Sequence, residues 1–374
     1  MNRKIKILSV LISMVFLLAG CQEMEKSEQD MLEKKTSKVE IERRVNFSDV
    51  YAPSEVCVYS ASLWEAEDDY IVDIFLSDKK VEKISLAQGP QYIYAPDTKK
   101  EEVVIVYDGG ESFYGDSKGI EEAGVSYGYV KYLYFDKLFS DYEKIHDEYY
   151  SSMKITSKSI DEKDGAFVEA KKEVSEYLKK LHMENYEVDA AAVFEENRKK
   201  GCLIYWNQVI DKIPVSEIVL DKSGTQNNTT VYNSKLNYNT KMVQRGSMLW
   251  TEFINERLVR WSCCDVVNTG RKLKQSPVVP LEEAYKKVEK QIPNYPSEVR
   301  IPILETVELQ YKIIELEDKI YLYPVWIFCI STEEKKPEDA DTKEEETWTT
   351  YNYFLIDAIT GDYFTDIDTK EFES

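Results

Sequence analysis

Tyr323-Pro324-Val325-Trp326-Ile327-Phe328 is the centre of a long apolar run, Ile320 to Ser331, near the C-terminus of the chain. Its aromatic and β-branched residues predict a β-strand. Tyr351 to Ala358 has the same composition, and the acidic segment Glu333 to Glu346 separates the two runs. We interpret that segment as a solvated insertion in a hairpin. Val307 to Ile314 supplies another predicted strand just before the pair.

A helix is predicted immediately upstream of these strands. From Pro280 to Lys290 the apolar residues recur every three or four positions, and a proline near the start suits the first turn of a helix. The same spacing occurs from about Asp164 to His182, where Lys179-Lys180 ends the pattern as the helix dipole prefers. The strand-like runs after that earlier helix are Ala190 to Phe194, Cys202 to Ile210 and Ile213 to Leu220. The order of helix and then strands therefore occurs twice.

The predicted fold class is α+β, with antiparallel sheets each covered by a helix in a duplicated unit, preceded by a strand-rich N-terminal region. Strands predicted in that region are Ser54 to Ser62, Tyr70 to Leu76, Val103 to Tyr107 and Tyr127 to Phe135. The predicted divisions of the chain are a signal peptide (1–20), a flexible tether (21–46), a strand-rich N-terminal domain (47–150), one α+β unit (151–275) and a second α+β unit (276–374).

The N-terminus has the layout of an export signal, with a short basic start and an apolar run from Ile7 to Leu18. That run is too short for a permanent transmembrane helix. It closes with Leu18-Ala19-Gly20-Cys21, which resembles the lipobox of bacterial lipoproteins, where the cysteine thiol receives a diacylglycerol and the bond before it is cleaved. We expect the chain to be anchored by lipid on Cys21 to the outer face of the cell membrane. An ordinary signal peptide that contains a cysteine by chance is the alternative.

Charge excludes one large class of partners. The formal net charge is −21, and removal of the basic signal residues Arg3, Lys4 and Lys6 leaves 45 basic against 69 acidic residues, a net charge of −24. Such a surface repels nucleic acid and anionic lipid heads, so we do not expect nucleic-acid binding. The hydrophobic content of 43%, with 27 tyrosines, is sufficient for a folded core.

The last hundred or so residues resemble a known type of module. Tyr323 to Phe328, followed across the polar loop by Tyr353-Phe354-Leu355-Ile356-Asp357-Ala358-Ile359-Thr360-Gly361-Asp362, looks like the closing strands of PepSY-like modules. It is similar also to the YycH and YycI type of exported regulator and to Firmicute lipoproteins built from such units. The resemblance implies a non-catalytic envelope module used for binding, inhibition or regulation. It brings no catalytic residues.

One motif of catalytic type occurs. Gly124-Val125-Ser126-Tyr127-Gly128 fits the G-x-S-x-G nucleophile elbow, in which a strand precedes the serine and a helix follows it. Here the residues that follow favour a strand, and the sequence has only two histidines, His146 and His182, the second of them on a predicted helix. We therefore interpret the motif as a glycine-flanked entry to a strand.

An acidic cluster near the C-terminus is weighed as a calcium site. Asp357, Asp362, Asp366 and Asp368 have suitable spacing, but the ligand order of an EF-hand loop is missing. We interpret these residues as turn formers and solvated charge, and we expect neither a metal nor another cofactor.

The cysteines and tryptophans favour structural roles. Besides Cys21, the thiol residues are Cys57, Cys202, Cys263, Cys264 and Cys329, an odd number that leaves at least one outside any intrachain disulfide. The sequence has no C-x-x-C pair, the spacing that would indicate a zinc site. Cys202 and Cys329 lie in apolar runs and are predicted to act as small buried hydrophobes. The tryptophans in similar runs, which we predict to be core residues and not sugar-stacking platforms, are Trp206, Trp250, Trp261 and Trp326.

The sequence thus favours a tethered α+β lipoprotein that binds a protein or peptide of the cell envelope, without covalent chemistry. Its expected partners are the membrane, through the lipid on Cys21, and an envelope protein or sensor. A solute- or glycan-binding lipoprotein is the first alternative, and a surface hydrolase is the second.

Overall fold

The structure is a computed structural model. It describes residues 41–77, 79–85, 92–96, 102–106, 112–116, 154–156, 164–183, 185–196, 199–216, 225–226, 229–230, 242–292, 302–335, 347–365 and 367–371. The predicted signal peptide, most of the predicted tether and the predicted strand Tyr127 to Phe135 lie outside these residues. Among the helices of the described ranges, none is long and apolar enough to cross a membrane.

The described chain is α+β, with far more strand than helix. Its strands are β1 (Glu42–Arg43), β2 (Glu55–Leu63), β3 (Glu82–Ser85), β4 (Tyr92–Ala95), β5 (Glu102–Val106), β6 (Ser112–Asp116), β7 (Lys154–Thr156), β8 (Tyr186–Glu196), β9 (Lys199–Ile210), β10 (Ile213–Pro214), β11 (Thr225–Gln226), β12 (Thr229–Thr230), β13 (Val243–Arg245), β14 (Met248–Ile254), β15 (Arg257–Cys264), β16 (Val267–Pro277), β17 (Ile303–Leu316), β18 (Lys319–Lys335) and β19 (Thr347–Asp357). The α-helices are α1 (Asp68–Leu76), α2 (Gly165–Lys180) and α3 (Leu281–Gln291), and short 3-10 turns occupy Phe47–Asp49 and Thr369–Glu371.

Helices α2 and α3 confirm the two helices predicted from the spacing of apolar residues. Asp164 is the N-cap of α2, and its carboxylate accepts hydrogen bonds from the backbone N–H groups of Ala166 (2.9 Å) and Phe167 (3.3 Å). These bonds satisfy amides that have no partner inside the helix. Pro280 immediately precedes α3, where its fixed φ and missing N–H cost nothing.

Helix α1 corrects one prediction, because Tyr70–Leu76 was expected to be a strand. Two aspartates in its first turn favour a helix N-terminus. The buried residues of α1, spaced as on one side of a helix, are Ile71, Val72, Phe75 and Leu76. The segment is rich in β-branched and aromatic residues, so local propensity favoured a strand. Packing of the apolar side of α1 against a sheet outweighs that preference.

Within the described residues, a seven-stranded sheet has the order β1-β17-β18-β2-β16. In addition, β13 pairs with β17 and β19 pairs with β18. All its pairs are antiparallel except β1–β17. One edge of β18 pairs with β17. The other edge has two neighbours, because Ile320–Leu322 pair with β2 and the residues from Val325 onward pair with β19. Pro324 lies where the neighbour changes, and its carbonyl accepts a hydrogen bond from Ala358 (3.2 Å). The missing N–H of a proline is tolerated at such an interruption of the ladder.

Both faces of β18 are buried, which accounts for its continuous apolar sequence. Trp326 and Phe328 point into the cluster that packs against Tyr285 of α3. Val325 and Ile327 lie in a second cluster on the opposite face, with Phe364 from the segment after β19. A strand covered on both sides shows no alternation of apolar and polar residues.

A ten-stranded antiparallel sheet has the order β3-β4-β5-β6-β15-β14-β9-β8-β7, with β10 also on β9. Apolar residues of α1 and α2 share one core cluster with β5, β9, β14 and β15. The predicted core tryptophans are confirmed as buried, with relative exposures of 3% for Trp206, 5% for Trp250, and 0% for both Trp261 and Trp326.

The chain passes between the two sheets just after β2 and between β15 and β16. Residue Trp64 follows β2, and its backbone N–H donates to the carbonyl of Val266, which lies between β15 and β16 (2.7 Å). The buried side chain of Gln208 pairs with the backbone of Val267, donating to its carbonyl (2.6 Å) and accepting from its N–H (3.2 Å). An amide side chain thus supplies the two bonds that a neighbouring strand would otherwise make.

Strand β16 contains a bulge that depends on glycine. Thr269 pairs with Ala61 and Lys272 pairs with Tyr59, so Gly270 and Arg271 together face Ser60. The Ser60 hydroxyl accepts a hydrogen bond from the Arg271 N–H (3.0 Å). A Cβ on Gly270 would lie 2.5 Å from the Ser60 hydroxyl oxygen and 2.9 Å from its carbonyl oxygen. The bulge therefore requires a residue without a side chain at 270.

Gly270→Ala should lower the free energy of unfolding by about 1–3 kcal/mol, because the backbone must shift to admit the methyl group. Gly165→Ala is the matched control, since its Cβ would meet nothing within 4 Å at the start of α2. That change should be neutral or stabilising by up to about 1 kcal/mol. Urea unfolding followed by tryptophan fluorescence measures both. Equal effects of the two substitutions would contradict the close approach at Gly270.

Candidate functional site

Strand β16 is an edge strand of the seven-stranded sheet. Among the described strands it pairs with β2 alone. Its residues 268–272 are exposed, and Leu273 and Lys274 are half-buried. An edge strand presents backbone N–H and C=O groups that another chain can pair with. Two cavities flank this edge.

The first, which we call the serine-side cavity, has a volume of about 630 Å³. Its lining residues are Ser60, Ala61, Ser62, Leu63, Glu65, Arg271, Leu273, Asp318, Lys319, Ile320 and Tyr321. They come from β2 and the segment just after it, from β16, from the turn between β17 and β18, and from the start of β18. Two cations, Arg271 and Lys319, and two carboxylates, Glu65 and Asp318, lie in this lining.

The second, which we call the tyrosine-side cavity, has a volume of about 520 Å³. Its lining residues are Tyr59, Asn185, Tyr186, Glu187, Val209, Ile210, Asp211, Lys212, Thr269 and Lys272. It lies where β2 and β16 meet the turn between β9 and β10. Asp211 and Lys212 in that turn have φ values of 51° and 67°, as a tight hairpin turn requires.

Consecutive residues of β16 line different cavities. Arg271 and Leu273 line the serine-side cavity, whereas Lys272 lines the tyrosine-side cavity. Successive side chains of a strand point to opposite faces, so the cavities lie on either side of the β2–β16 pair. Thr269 lines the same cavity as Lys272, and the bulge at Gly270 directs Arg271 to the other.

The tyrosine-side cavity contains a small polar network. The Tyr59 hydroxyl donates a hydrogen bond to Asp211. Lys272 Nζ lies 3.9 Å from the same carboxylate and 5.7 Å from the centre of the Tyr59 ring. Burial, together with the hydrogen bond to Asp211, raises the pKa of Tyr59, so its phenol stays protonated. The network holds the Lys272 ammonium group at the rim of the cavity.

The charge of β16 differs from that of the whole chain. The strand carries three basic residues, Arg271, Lys272 and Lys274, and no acidic one. The complete sequence has 69 acidic and 48 basic residues. A locally basic strand on an acidic protein attracts anionic groups that the rest of the surface repels.

Several residues predicted to have special roles lie outside the described ranges. They are the lipid-attachment residue Cys21 and its lipobox residues Leu18, Ala19 and Gly20, together with Ser126 in its glycine-flanked motif, His146 and Asp366. His182 follows α2, and its ring stacks on Tyr70 with 6.3 Å between the ring centres. Of the residues considered for a hydrolase, His182 is the one that the structure describes, and it contacts Tyr70 of α1.

Asp357 forms the turn that follows β19. One carboxylate oxygen accepts hydrogen bonds from the N–H groups of Ile359 (2.7 Å) and Thr360 (3.1 Å). The other accepts from the hydroxyl of Tyr323 (2.9 Å). Gly361 has a φ of 75°, which favours glycine. The interpretation of Asp357 as a turn former is confirmed.

The other described members of the acidic cluster have separate partners. Asp362 pairs with Lys287 (2.8 Å), and Asp368 accepts a hydrogen bond from the N–H of Lys370 (3.1 Å). In the described part of the chain, no three His, Cys, Asp or Glu residues gather as they would around a metal ion. The carboxylate oxygens of Asp357 are occupied by donors from the protein.

The described cysteines lie mostly in the core. Cys202 and Cys329 are both 0% exposed and lie in β9 and β18, which confirms their prediction as buried hydrophobes. Burial raises the pKa of the Cys202 thiol to about 12. Cys263 is buried and Cys264 is partly exposed, as expected for neighbours in a strand. No disulfide joins the cysteines of the described ranges.

The residues at the β16 edge were not singled out from the sequence. Residues 267–277 are polar and contain glycine, so they lack the apolar pattern of a core strand. The available signal was electrostatic, because Arg271, Lys272 and Lys274 form a basic cluster in an acidic chain. Tyr59 and Asp211, by contrast, are brought together only by the pairing of distant strands.

Comparison with known proteins supports the fold. No family model and no curated protein matches the chain significantly. A solved structure described as an uncharacterized protein from Eubacterium rectale ATCC 33656 is similar, with a TM-score of 0.55 and 11% sequence identity, over 84% of this chain and 87% of that chain. A likeness at this identity shows a shared fold and carries no activity or ligand.

Asp357→Ala should lower the free energy of unfolding by about 3 kcal/mol, because it removes the charge-assisted hydrogen bonds that the carboxylate accepts from the turn and from the buried Tyr323 side chain. Asp357→Asn should cost less, since an amide oxygen can still accept from the turn. Asp362→Ala, which removes only an exposed ion pair, should change stability by less than about 1 kcal/mol. Thermal and urea unfolding of the three variants test this order. A loss as large for Asp362→Ala as for Asp357→Ala would contradict it.

Proposed function

We propose that the chain is a lipoprotein, anchored by lipid on Cys21 to the outer face of the cell membrane, that binds a protein or peptide of the envelope without catalysing a reaction. The main support is the edge strand β16, which combines an unpaired edge within the described residues with basic side chains and a cavity on either side. Extended segments of partner proteins commonly bind by adding a strand to such an edge. The resemblance to PepSY-like modules favours the same role.

The position of the N-terminal segment is consistent with a tether. β1 pairs with β17 at Ile303 and Leu304, at the opposite end of the strand order from β16. Arg43 packs over the ring of Tyr285 in α3, 4.4 Å from its centre. Four strand steps of about 4.8 Å separate β1 from β16, or roughly 19 Å. A tether that enters at β1 would leave the β16 edge accessible to a partner.

We further propose that the two α+β units are duplicates, each with a sheet covered by its helix. In one unit, α2 precedes β8, β9 and β14, which pair in that order. In the other, α3 precedes β17, β18 and β19, which also pair in order. Each helix contacts the middle strand of its three, β9 or β18. This correspondence supports a common origin of the two units.

Binding of a small solute or glycan is the second candidate. The volumes of the serine-side and tyrosine-side cavities, about 630 and 520 Å³, lie in the range of small-molecule sites. Mixed charges and tyrosine in the lining would suit a polar ligand. Protein binding is preferred because the exposed backbone of β16 lies between the cavities.

The anchor is tested by Cys21→Ala. The wild-type protein should partition into the detergent phase of a Triton X-114 extract and carry the mass of a lipid at its N-terminus, since two acyl chains hold a protein firmly in a membrane. Cys21→Ala should instead appear in the aqueous phase or remain unprocessed. Cys264→Ala, a change at another cysteine, should behave as the wild type. A processed Cys21→Ala protein that stays in the membrane would exclude the lipid anchor.

The binding function is tested by crosslinking in intact cells, with the anchored chain as bait. We expect one membrane sensor or envelope enzyme to be enriched over a Cys21→Ala control. Quantitative mass spectrometry of the crosslinked fraction measures the enrichment. Absence of any enriched protein would overturn protein binding in favour of the small-ligand alternative, for which glycan and metabolite screening is the direct assay.

A further inference from the structure

Two basic side chains of β16, Arg271 and Lys272, are exposed. Arg271 is exposed and forms no side-chain hydrogen bond or ion pair with any described residue. Lys272 has Asp211 as its ionic neighbour, at 3.9 Å, and both side chains are more than half exposed. Such a pair contributes little to stability. The two cations are therefore available to an incoming anionic group.

Protection against aggregation is the alternative explanation of this chemistry. Edge strands commonly carry lysines and bulges that prevent pairing with other sheets. That explanation accounts for the charge of β16 but not for the cavities on its two sides. It accounts for the presence of a bulge at Gly270, which the Ser60 hydroxyl fixes, but not for the way that this bulge places Arg271 and Thr269 in different cavities. A strand added beside β16 would place its successive side chains over these two cavities in turn.

We infer that β16 receives an extended acidic segment of a partner protein as an additional strand, with its carboxylates on Arg271 and Lys272. The inference rests on the proposed binding function and specifies its partner. Backbone hydrogen bonds to the edge would supply affinity, and the basic side chains would select acidic sequences. A second register shift lies at Leu273, between Lys272 and Lys274. Beyond it, Lys274 to Pro277 pair regularly with Val58 to Glu55, which gives the added strand a regular edge to follow.

Three labelled peptides of about ten residues, the length of an ordinary strand, test the inference. One alternates Glu and Thr, the second alternates Lys and Thr, and the third is the acidic peptide with every other amide N-methylated. Fluorescence polarisation is measured with the full mature chain in detergent micelles. The acidic peptide should bind, and added salt should weaken it. The basic and N-methylated peptides should not bind, because one has the wrong charge and the other lacks half of its backbone donors.

A charge reversal locates the site. Arg271→Glu should weaken binding of the acidic peptide by about tenfold or more, since an attraction becomes a repulsion. Lys172→Glu is the matched control, because Lys172 is also exposed but lies on α2, and the net charge changes equally. That variant should bind as the wild type. Arg271→Gln provides a milder second variant, and the melting temperature of each variant verifies its folding.

Hydrogen exchange distinguishes strand addition from contact by side chains alone. The acidic peptide should slow exchange of the backbone amides in 267–277. Equal binding of acidic and basic peptides, unchanged binding by Arg271→Glu, or unchanged exchange in 267–277 would each overturn the inference. If the Arg271→Glu chain still captures the same envelope protein in cells, the binding function stands and only the β16 site is wrong. If the wild-type chain captures none, the binding function itself fails.

Discussion

The architecture depends on hydrogen bonds to the backbone N–H and C=O groups at the point where the chain passes from one sheet to the other. A strand that leaves its sheet loses its neighbours, and buried N–H and C=O groups without partners are costly. Gln208 solves this at Val267 by offering both a donor and an acceptor from one side chain. The Trp64 N–H donates to the Val266 carbonyl at the same place, which we call the corner between the sheets. These bonds let β15 belong to the ten-stranded sheet and β16 to the seven-stranded one.

An ion cluster reinforces that corner from outside. Arg245 of β13 contacts Asp265, between β15 and β16, at 3.1 Å, and Glu315 of β17 at 2.6 Å. One guanidinium thus links the seven-stranded sheet to the connection that enters it. Its planar fork of donors suits two carboxylates at once. The edge pair of β2 and β16 is positioned by this corner, and so are the cavities on its two sides.

Prediction from sequence succeeded where burial leaves a strong pattern. Helices α2 and α3 follow from apolar spacing, and β18 follows from a run that is buried on both faces. It failed at α1, because the pattern of a short segment rich in β-branched and aromatic residues does not distinguish a helix from a strand. The tertiary packing that decides between them is not visible in the sequence. Strand β16 was missed because its residues are mostly polar and it pairs with a single strand among the described residues. The candidate site was missed with it, since it forms only when β2 pairs with residues some two hundred positions away.

The charge of the whole protein sets a condition on any acidic partner. At physiological ionic strength, screening limits the repulsion between exposed charges to about 8 Å. A segment lying along β16 would therefore experience mainly the charges of that strand and of its two cavities. Each cavity lining contains as many cations as carboxylates, with Arg271 and Lys272 of β16 counted among the cations, and Lys274 of β16 adds one further positive charge. An acidic segment would be repelled over most of the surface and attracted along this edge, so the acidity of the body would contribute to selectivity for the site.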